Sequence, residues 1–392
     1  MNQRFSLHGW YTNMVKTYRI RTLILTLVLC GLLVGTGQAQ ENLPIRNRPP
    51  LAVLDVQYSP DGPYLALVYA DGRLEVLDAS SQRIILEDMV ELPNPLLRAK
   101  VDWSPTGDRL AAGIGSQVYI WDVQNRRLLQ TVEAGGAESL VYFEDGAYVP
   151  EGFVSLQWDS TGALLLAKSV SSRFTVWSIE HQAFIVDRVF GNNPVPIVWL
   201  VDDRRISNGQ SVFDILNQSR VFVGLDAQRL PGVLSNCGPF SAIDINRDRT
   251  WIVQATIYDC IIIRDAATGS EIAGYQISGL ISLYENGMTL AEHMNPIWDV
   301  SWSPDDRAIV AVDSSGAVRV VDVATGNVTL IAQHDGPLYA VDWADDNSAI
   351  AYGGNTQAEE TVFAAVSVTE VEQLMASTAR PAEFAITPAA DR

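Results

Sequence analysis

The residues best suited to chemistry in this chain are aspartates, histidines and cysteines. Asp55, Asp102, Asp244, Asp299 and Asp342 each stand one or three residues before a large apolar residue in a recurring phrase. Two such carboxylates brought together would suit general acid–base work. Spread over repeated units, the same side chains would instead hydrogen-bond one unit to the next, and that is the favoured reading. Beyond the first 39 residues the chain holds His181, His293 and His334, each in a different unit. None lies in H-E-x-x-H, and there is no G-x-S-x-G and no phosphate-binding glycine loop. No pair of cysteines has the CxxC spacing of zinc or redox sites, and no D-x-D-x-D-G loop would gather calcium. No catalytic residue, cofactor or metal is therefore expected.

The elements that position these residues must come from a chain of 392 residues, 47% apolar and 19% charged, with 28 Gly and 18 Pro. That is too apolar for disorder, too cysteine-poor for a disulfide scaffold and too interrupted for a coiled coil. The net charge is −19. Nucleic-acid binding needs clustered positive charge, so that class of partner is set aside.

Residues 1–39 read as an export signal. Their charges, Arg4, Lys16, Arg19 and Arg21, are all positive, and an apolar run from Leu23 to Val34 follows. Gly37 and Ala39 suit a signal-peptidase site, so the mature chain would begin at Gln40. The apolar run falls short of the ~20 residues that span a bilayer. The expected location is secreted, periplasmic or cell-envelope, as for an exported bacterial-type protein. An uncleaved signal acting as a membrane anchor is the alternative.

One phrase recurs downstream: a proline, a short alternating run ending in a large apolar residue, then a polar turn. It reads L-D-V-Q-Y-S-P-D-G at Leu54–Gly62, V-D-W-S-P-T-G at Val101–Gly107, and V-S-W-S-P-D-D at Val300–Asp306. The anchors are Tyr58, Trp103, Trp158, Trp199, Ile245, Trp302 and Trp343. Periods of this length indicate a repeat architecture. Within each unit the apolar runs are short, rich in Val, Ile, Leu and Tyr, and bounded by Gly, Asp, Asn and Ser, which is the pattern of strands and hairpins. A single four-stranded sheet cannot bury both its faces. Radial packing of several sheets into a closed ring can.

The third run of each unit ends in a pair that resembles the Trp-Asp signature of WD-repeat β-propellers. Trp121-Asp122 matches fully; Leu77-Asp78, Phe213-Asp214 and Val321-Asp322 keep the Asp, and Trp177-Ser178 keeps the Trp. The family's Gly-His pair is degraded to Glu292-His293 and Gln333-His334, and its hairpin Asp corresponds to Asp71, Asp259 and Asp313. The resemblance implies an all-β fold, a seven-bladed β-propeller of four-stranded antiparallel sheets over residues 51–368. It also implies a binding platform rather than an enzyme, for a protein or peptide partner. A propeller enzyme or small-ligand binder using the channel carboxylates is the alternative. Residues 40–50 are expected to contribute a closing strand near Leu43–Ile45, and residues 369–392, rich in Ala, Thr and Pro, to form a disordered tail. A monomer is expected.

Two anchor spacings, 55 and 57 residues, exceed the others. The extra length falls in connections between units that emerge on one face, here called the top. The first insertion carries Tyr142, Phe143 and Tyr148, the second Tyr284, Met288 and Met294. Aromatic and Met side chains on long loops mark these six as candidate partner-binding residues. Covering the ring's own top is the competing role.

Cys237 and Cys260 are the cysteines left after signal removal, and export exposes them to oxidation. They flank the first and third strands of one unit, on the same face, so a disulfide is expected. Intact-mass analysis of the exported protein should find it two hydrogens lighter than its reduced form. Two free thiols in the purified protein would end the expectation.

Overall fold

The computed structural model describes residues 52–387 except 61, 93–94, 97, 136–140, 143–147, 150–151, 171–172, 190–194, 210, 222–236, 238, 278–294 and 383. The chain divides into two units. Pro50–Ser139 with Glu151–Arg392 form the larger. In the smaller, Val141–Tyr142 pairs antiparallel with Tyr148–Val149, placing Tyr142 opposite Tyr148.

In the larger unit, strand follows strand in simple up-and-down order. Blade 1 comprises Val53–Tyr58, Tyr64–Tyr69, Arg73–Asp78 and Ile84–Met89, paired in sequence order. Blades 2 to 6 repeat this plan, starting at Lys100, Phe153, Val198, Phe240 and Ile297. Blade 7 runs from Leu338 to Ser367, with three strands among the described residues. The protein is thus an all-β, seven-bladed propeller. Blade 4 has strands of only two or three residues.

Local chemistry explains the hairpins. The Asp at the end of the third strand folds its carboxylate back onto the turn that follows. Asp78 accepts from the Ser81 amide at 2.8 Å, Asp265 from Thr268 at 2.7 Å, and Asp322 from Thr325 at 2.8 Å. Such Asx turns end in a left-handed residue, here Gly269 at φ 72° and Gly326 at φ 70°. Asp265–Gly269 and Asp322–Gly326 thus form the turns between third and fourth strands in blades 5 and 6.

The core lies in the seams between blades. Trp103 packs with Leu54, Val68 and Leu74 of blade 1, and Trp302 with Val253, Ile263 and Tyr275 of blade 5. All five anchor tryptophans are buried. Each fills the wedge between adjacent sheets, a large apolar area removed from water.

The segment after residue 368 differs from the disordered tail expected of its composition. Val368–Thr378 is an α-helix capped by Ser367, whose hydroxyl accepts from the Glu370 amide. Val368 and Val371, one turn apart, are buried against blades 6 and 7. The chain then returns along the rim. Arg380–Pro381 pairs with the outer strand of blade 6, and Phe384–Ile386 with that of blade 5. The Ala-rich composition conceals a Ser-x-x-Glu cap and a buried Val pair. Pro381 is tolerated because it lies on an edge strand.

Leu43–Ile45 lie outside the described residues. We propose that they complete blade 7 by pairing with its outer strand, Thr361–Ser367. Deleting residues 40–47 from the mature chain should then lower the melting temperature by about 5 °C or more, as expected for losing a strand's hydrogen bonds and burial. An unchanged midpoint would refute this closure.

Candidate functional site

The innermost strands surround a central channel, and the alternation of a strand decides what faces it. Residues one and three positions before each anchor point inward and towards the next blade. The position directly before the anchor holds Gln57, Asp102, Gln157, Val198, Asp244, Ser301 and Asp342 around the ring. With one exception, this side chain accepts the backbone N–H of the next blade's anchor. Gln57 Oε1 accepts from Trp103 at 3.0 Å, Asp102 from Trp158 at 2.5 Å and Gln157 from Trp199 at 2.9 Å. Asp244 accepts from Trp302 at 2.9 Å and Ser301 from Trp343 at 3.2 Å. Asp342 accepts from Tyr58 at 2.7 Å, linking the last blade to the first. Val198 is the exception, since it carries no acceptor.

The position three before the anchor adds a second layer. Asp55 accepts from the Val101 amide at 2.8 Å, Ser155 from Ile197 at 2.8 Å and Asp299 from Val341 at 3.2 Å. Blade 2 has Lys100 at this position. Its ammonium lies 2.8 Å from Asp55 and 3.4 Å from Asp299, so it reaches across the channel from blade 2 to blade 6.

Burial governs the charge state of these groups. It drives Asp55 up to about 6, against the pull of Lys100. Burial likewise raises Asp102 and Asp244 to about 7 each, although backbone N–H donors favour their ionised forms. Asp342 is held well above the carboxylate range for the same reason. Burial alone would depress Lys100, but Asp299 and Asp55 outweigh it and keep the ammonium charged. The cavity enclosed is about 120 Å³, room for a few waters but well below the ~300 Å³ of small-molecule sites. Among the described residues no three His, Cys, Asp or Glu side chains are placed to share a metal ion. The five aspartates noted in the sequence do meet at one channel, and their main work is to fasten blade to blade.

Other noted residues are dispersed. His181 Nδ1 lies 3.0 Å from the Ser178 hydroxyl within a turn. His334 stands beside Tyr352 at 3.5 Å. His293 falls outside the described residues. Asp313, the hairpin Asp of blade 6, pairs with Arg319 and accepts from Asn295 at 3.1 Å. Cys237 and Cys260 are joined by a disulfide, with Cα atoms 5.8 Å apart and both residues buried. In the turn between the first two strands of blade 4, Asp202 pairs with Arg205 at 2.6 Å, and Asp203 pairs with Arg249. Of the candidate partner-binding residues, Tyr142 and Tyr148 pair in the small hairpin, whereas Phe143, Tyr284, Met288 and Met294 lie outside the described residues.

Comparison with known proteins agrees with this geometry. Residues 285–322 match the family described as WD domain, G-beta repeat. A WD repeat-containing protein from Schistosoma mansoni, SL1-17, is 25% identical over 186 residues, 46% of this chain and 53% of that protein. The chain thus spans about half the length of this curated relative. The structures titled "Structure of U3-55K" and "Crystal structure of RRP9 WD40 repeats" superpose with TM-scores of 0.57 and 0.58. Each is 14% identical and covers 78% of this chain, and 88% and 87% of those chains are matched. The fold is that of a WD-repeat β-propeller. Its repeats are degenerate, and the WD-repeat aspartate is spent on turns while the channel carries a separate set.

Sequence reading missed Lys100, Gln57, Gln157, Ser155 and Ser301. The signal was available: aligning the seven phrases on their anchors places all five at channel positions, with Lys100 where blades 1 and 6 carry Asp.

The raised carboxylates predict an unusual pH response. In the folded chain Asp102 and Asp244 bind protons up to about pH 7, against 3.8 ordinarily. Protonation therefore favours the folded state, and stability should rise as pH falls through 7 towards 4. Asp78 and Asp214, held down at about 2 by hydrogen bonds from their turns and, for Asp214, foremost by Arg204, work oppositely below 4. The melting temperature should be higher at pH 5.5 than at pH 8.5, and the D102N/D244N pair should flatten the dependence. A wild-type midpoint that is level or rises with pH would contradict this assignment.

Proposed function

We propose that this protein is an exported scaffold that binds a protein or peptide partner through loops on the top face of the propeller. The carrying observation is that two long connections between blades, residues 135–152 and 277–296, are rich in aromatic and Met side chains. They concentrate Tyr142, Phe143, Tyr148, Tyr284, Met288 and Met294 at two sites. Long connections rich in aromatic and Met side chains are common places of partner contact. The likeness to WD-repeat proteins supports a platform role. The channel, small and occupied by interblade hydrogen bonds, offers less to a ligand than the loops do. Glu138, Glu144, Asp145, Glu151, Glu285 and Glu292 among the apolar residues favour a neutral or basic partner surface, and disfavour nucleic acid and anionic lipid. Export places that partner outside the cytoplasm.

Replacing Tyr142, Phe143, Tyr284 and Met288 with Ser, singly and together, tests the reading. Partners would first be identified by cross-linking and mass spectrometry on envelope extracts with the wild-type protein. The combined variant should stay folded and bind the identified partner about 30-fold more weakly, the loss expected for removing a hot spot. Undiminished affinity in a folded combined variant would refute the top-face site.

A further inference from the structure

The rim of the propeller carries its own example of peptide docking. The C-terminal segment fills the outer seam between blades 5 and 6. Arg380–Pro381 pairs with Asn327–Val328 at the start of blade 6's outer strand. The Ala382 amide then donates to Gly326 O at 2.9 Å, and Phe384, Ala385 and Ile386 pair with Gln276, Tyr275 and Gly274 of blade 5. Gly326 permits this passage: a Cβ there would lie 2.8 Å from the Ala385 methyl. Ala382 packs against the blade 5–6 core.

The seam between blades 1 and 2 has the same construction and, among the described residues, no strand in it. Arg126 holds the turn position of Gly326, four residues after Asp122 and also left-handed, with φ 52°; because it carries the Cβ that Gly326 lacks, a segment here needs glycine where the tail has Ala385. Leu128 opposes Trp121 as Val328 opposes Val321. Glu87, Asp88 and Met89 occupy the register of Gly274, Tyr275 and Gln276. The result is a groove of about 340 Å³ lined by Ile84, Ile85, Leu86, Trp121, Arg126 and Leu128, with Glu87 and Asp88 on its blade 1 side. Ile84 is 37% and Leu128 43% exposed, whereas Val328 under the tail is half-buried.

We propose that the groove between blades 1 and 2 is a second docking site, which takes an extended segment of a partner protein as an added antiparallel strand. The tail in the sister groove sets the direction. The segment would meet Arg127–Leu128 first, pass Arg126, and then pair along Glu87–Met89. Exposed Arg126 and Arg127 at the entry and exposed Glu87 and Asp88 at the exit select a segment acidic in its N-terminal half, apolar in the middle and basic in its C-terminal half. Backbone pairing to a free edge supplies affinity, and the apolar floor supplies register. The site is separate from the top-face loops, so each can fail without the other.

The probe is a phage-displayed library of random peptides of about ten residues, selected on the full mature chain, in which the blade 5–6 groove is already filled. Enriched peptides should carry the acidic–apolar–basic order. Their binding should fall about tenfold or more with Leu128→Asp and with Arg126→Glu, and should be unaffected by Tyr284→Ser. Both groove variants alter exposed side chains, and a melting curve confirms that each is folded; Ile84→Ser serves if Leu128→Asp is not. Failure to enrich any peptide, or binding that survives the groove substitutions, would overturn the proposal. So would concentration-dependent dimerisation abolished by deleting residues 379–392, which would assign the groove to the tail of a second copy.

Discussion

The whole ring depends on one hydrogen bond, repeated: a side chain just before one blade's anchor accepts the backbone N–H of the next blade's anchor. Blades do not share a sheet, so no backbone ladder crosses the seams at the channel. Without an acceptor there, the inner edge of each blade would leave amides buried and unpaired, at a cost of about 1–3 kcal/mol apiece. Gln, Asp and Ser all meet the need, because each carries an oxygen one to three bonds beyond Cβ. The degenerate phrases therefore agree in this function while differing in residue type. The bond from Tyr58 N–H to Asp342 is the one that links chain beginning to chain end.

The exception is instructive. Val198 has no acceptor to offer blade 5, and Ile245 N–H instead contacts its own neighbour, the Asp244 carboxylate, at 2.8 Å. The seam between blades 4 and 5 is fastened farther out. Gln254 Nε2 donates to Asn208 O at 2.6 Å, and Arg249 reaches Asp203 and the Leu200 carbonyl. Gln254 is itself held by Arg264, which pairs with Glu271 at 2.6 Å in a buried cluster. Loss of an acceptor at the channel is thus offset by a polar network on the flank, since a buried network is favourable when its members are satisfied. Gly209, left-handed at φ 79°, lies where any Cβ would collide with Gln254, so that network also fixes a glycine.

What the sequence made legible follows from which interactions are local. Seven anchors, alternating runs and Asx turns are set by residues within a few positions of one another, and they specified blade number and strand order. The channel position of Lys100 can be read from the aligned phrases, but its partners cannot, because Asp55 and Asp299 are 45 and 199 residues away. Its role appears only once the ring closes and brings blade 2 opposite blade 6. The tail was hidden for the opposite reason. Its composition resembles a linker, and two- or three-residue edge strands carry no periodicity to detect. The candidate binding loops remain legible by length and aromatic content alone.

A polar channel would ordinarily be a place to look for catalysis, and raised carboxylates sharpen that temptation. Here the physical cause of the shifts argues for structure. Asp102, Asp244 and Asp342 are raised chiefly by burial, and each is buried because the ring closes tightly enough for its oxygens to reach the adjacent blade. The oxygens that would abstract or deliver a proton already accept from Gln57, Trp158, Trp302 and Tyr58. Lys100 completes the arrangement: placing one cation between Asp55 and Asp299 removes the worst repulsion where the innermost strands converge. A narrow channel, closely fastened, frees the outer surfaces for variation. The rim and the top loops can change sequence without loosening the ring, and there a propeller of this kind has room to acquire partners.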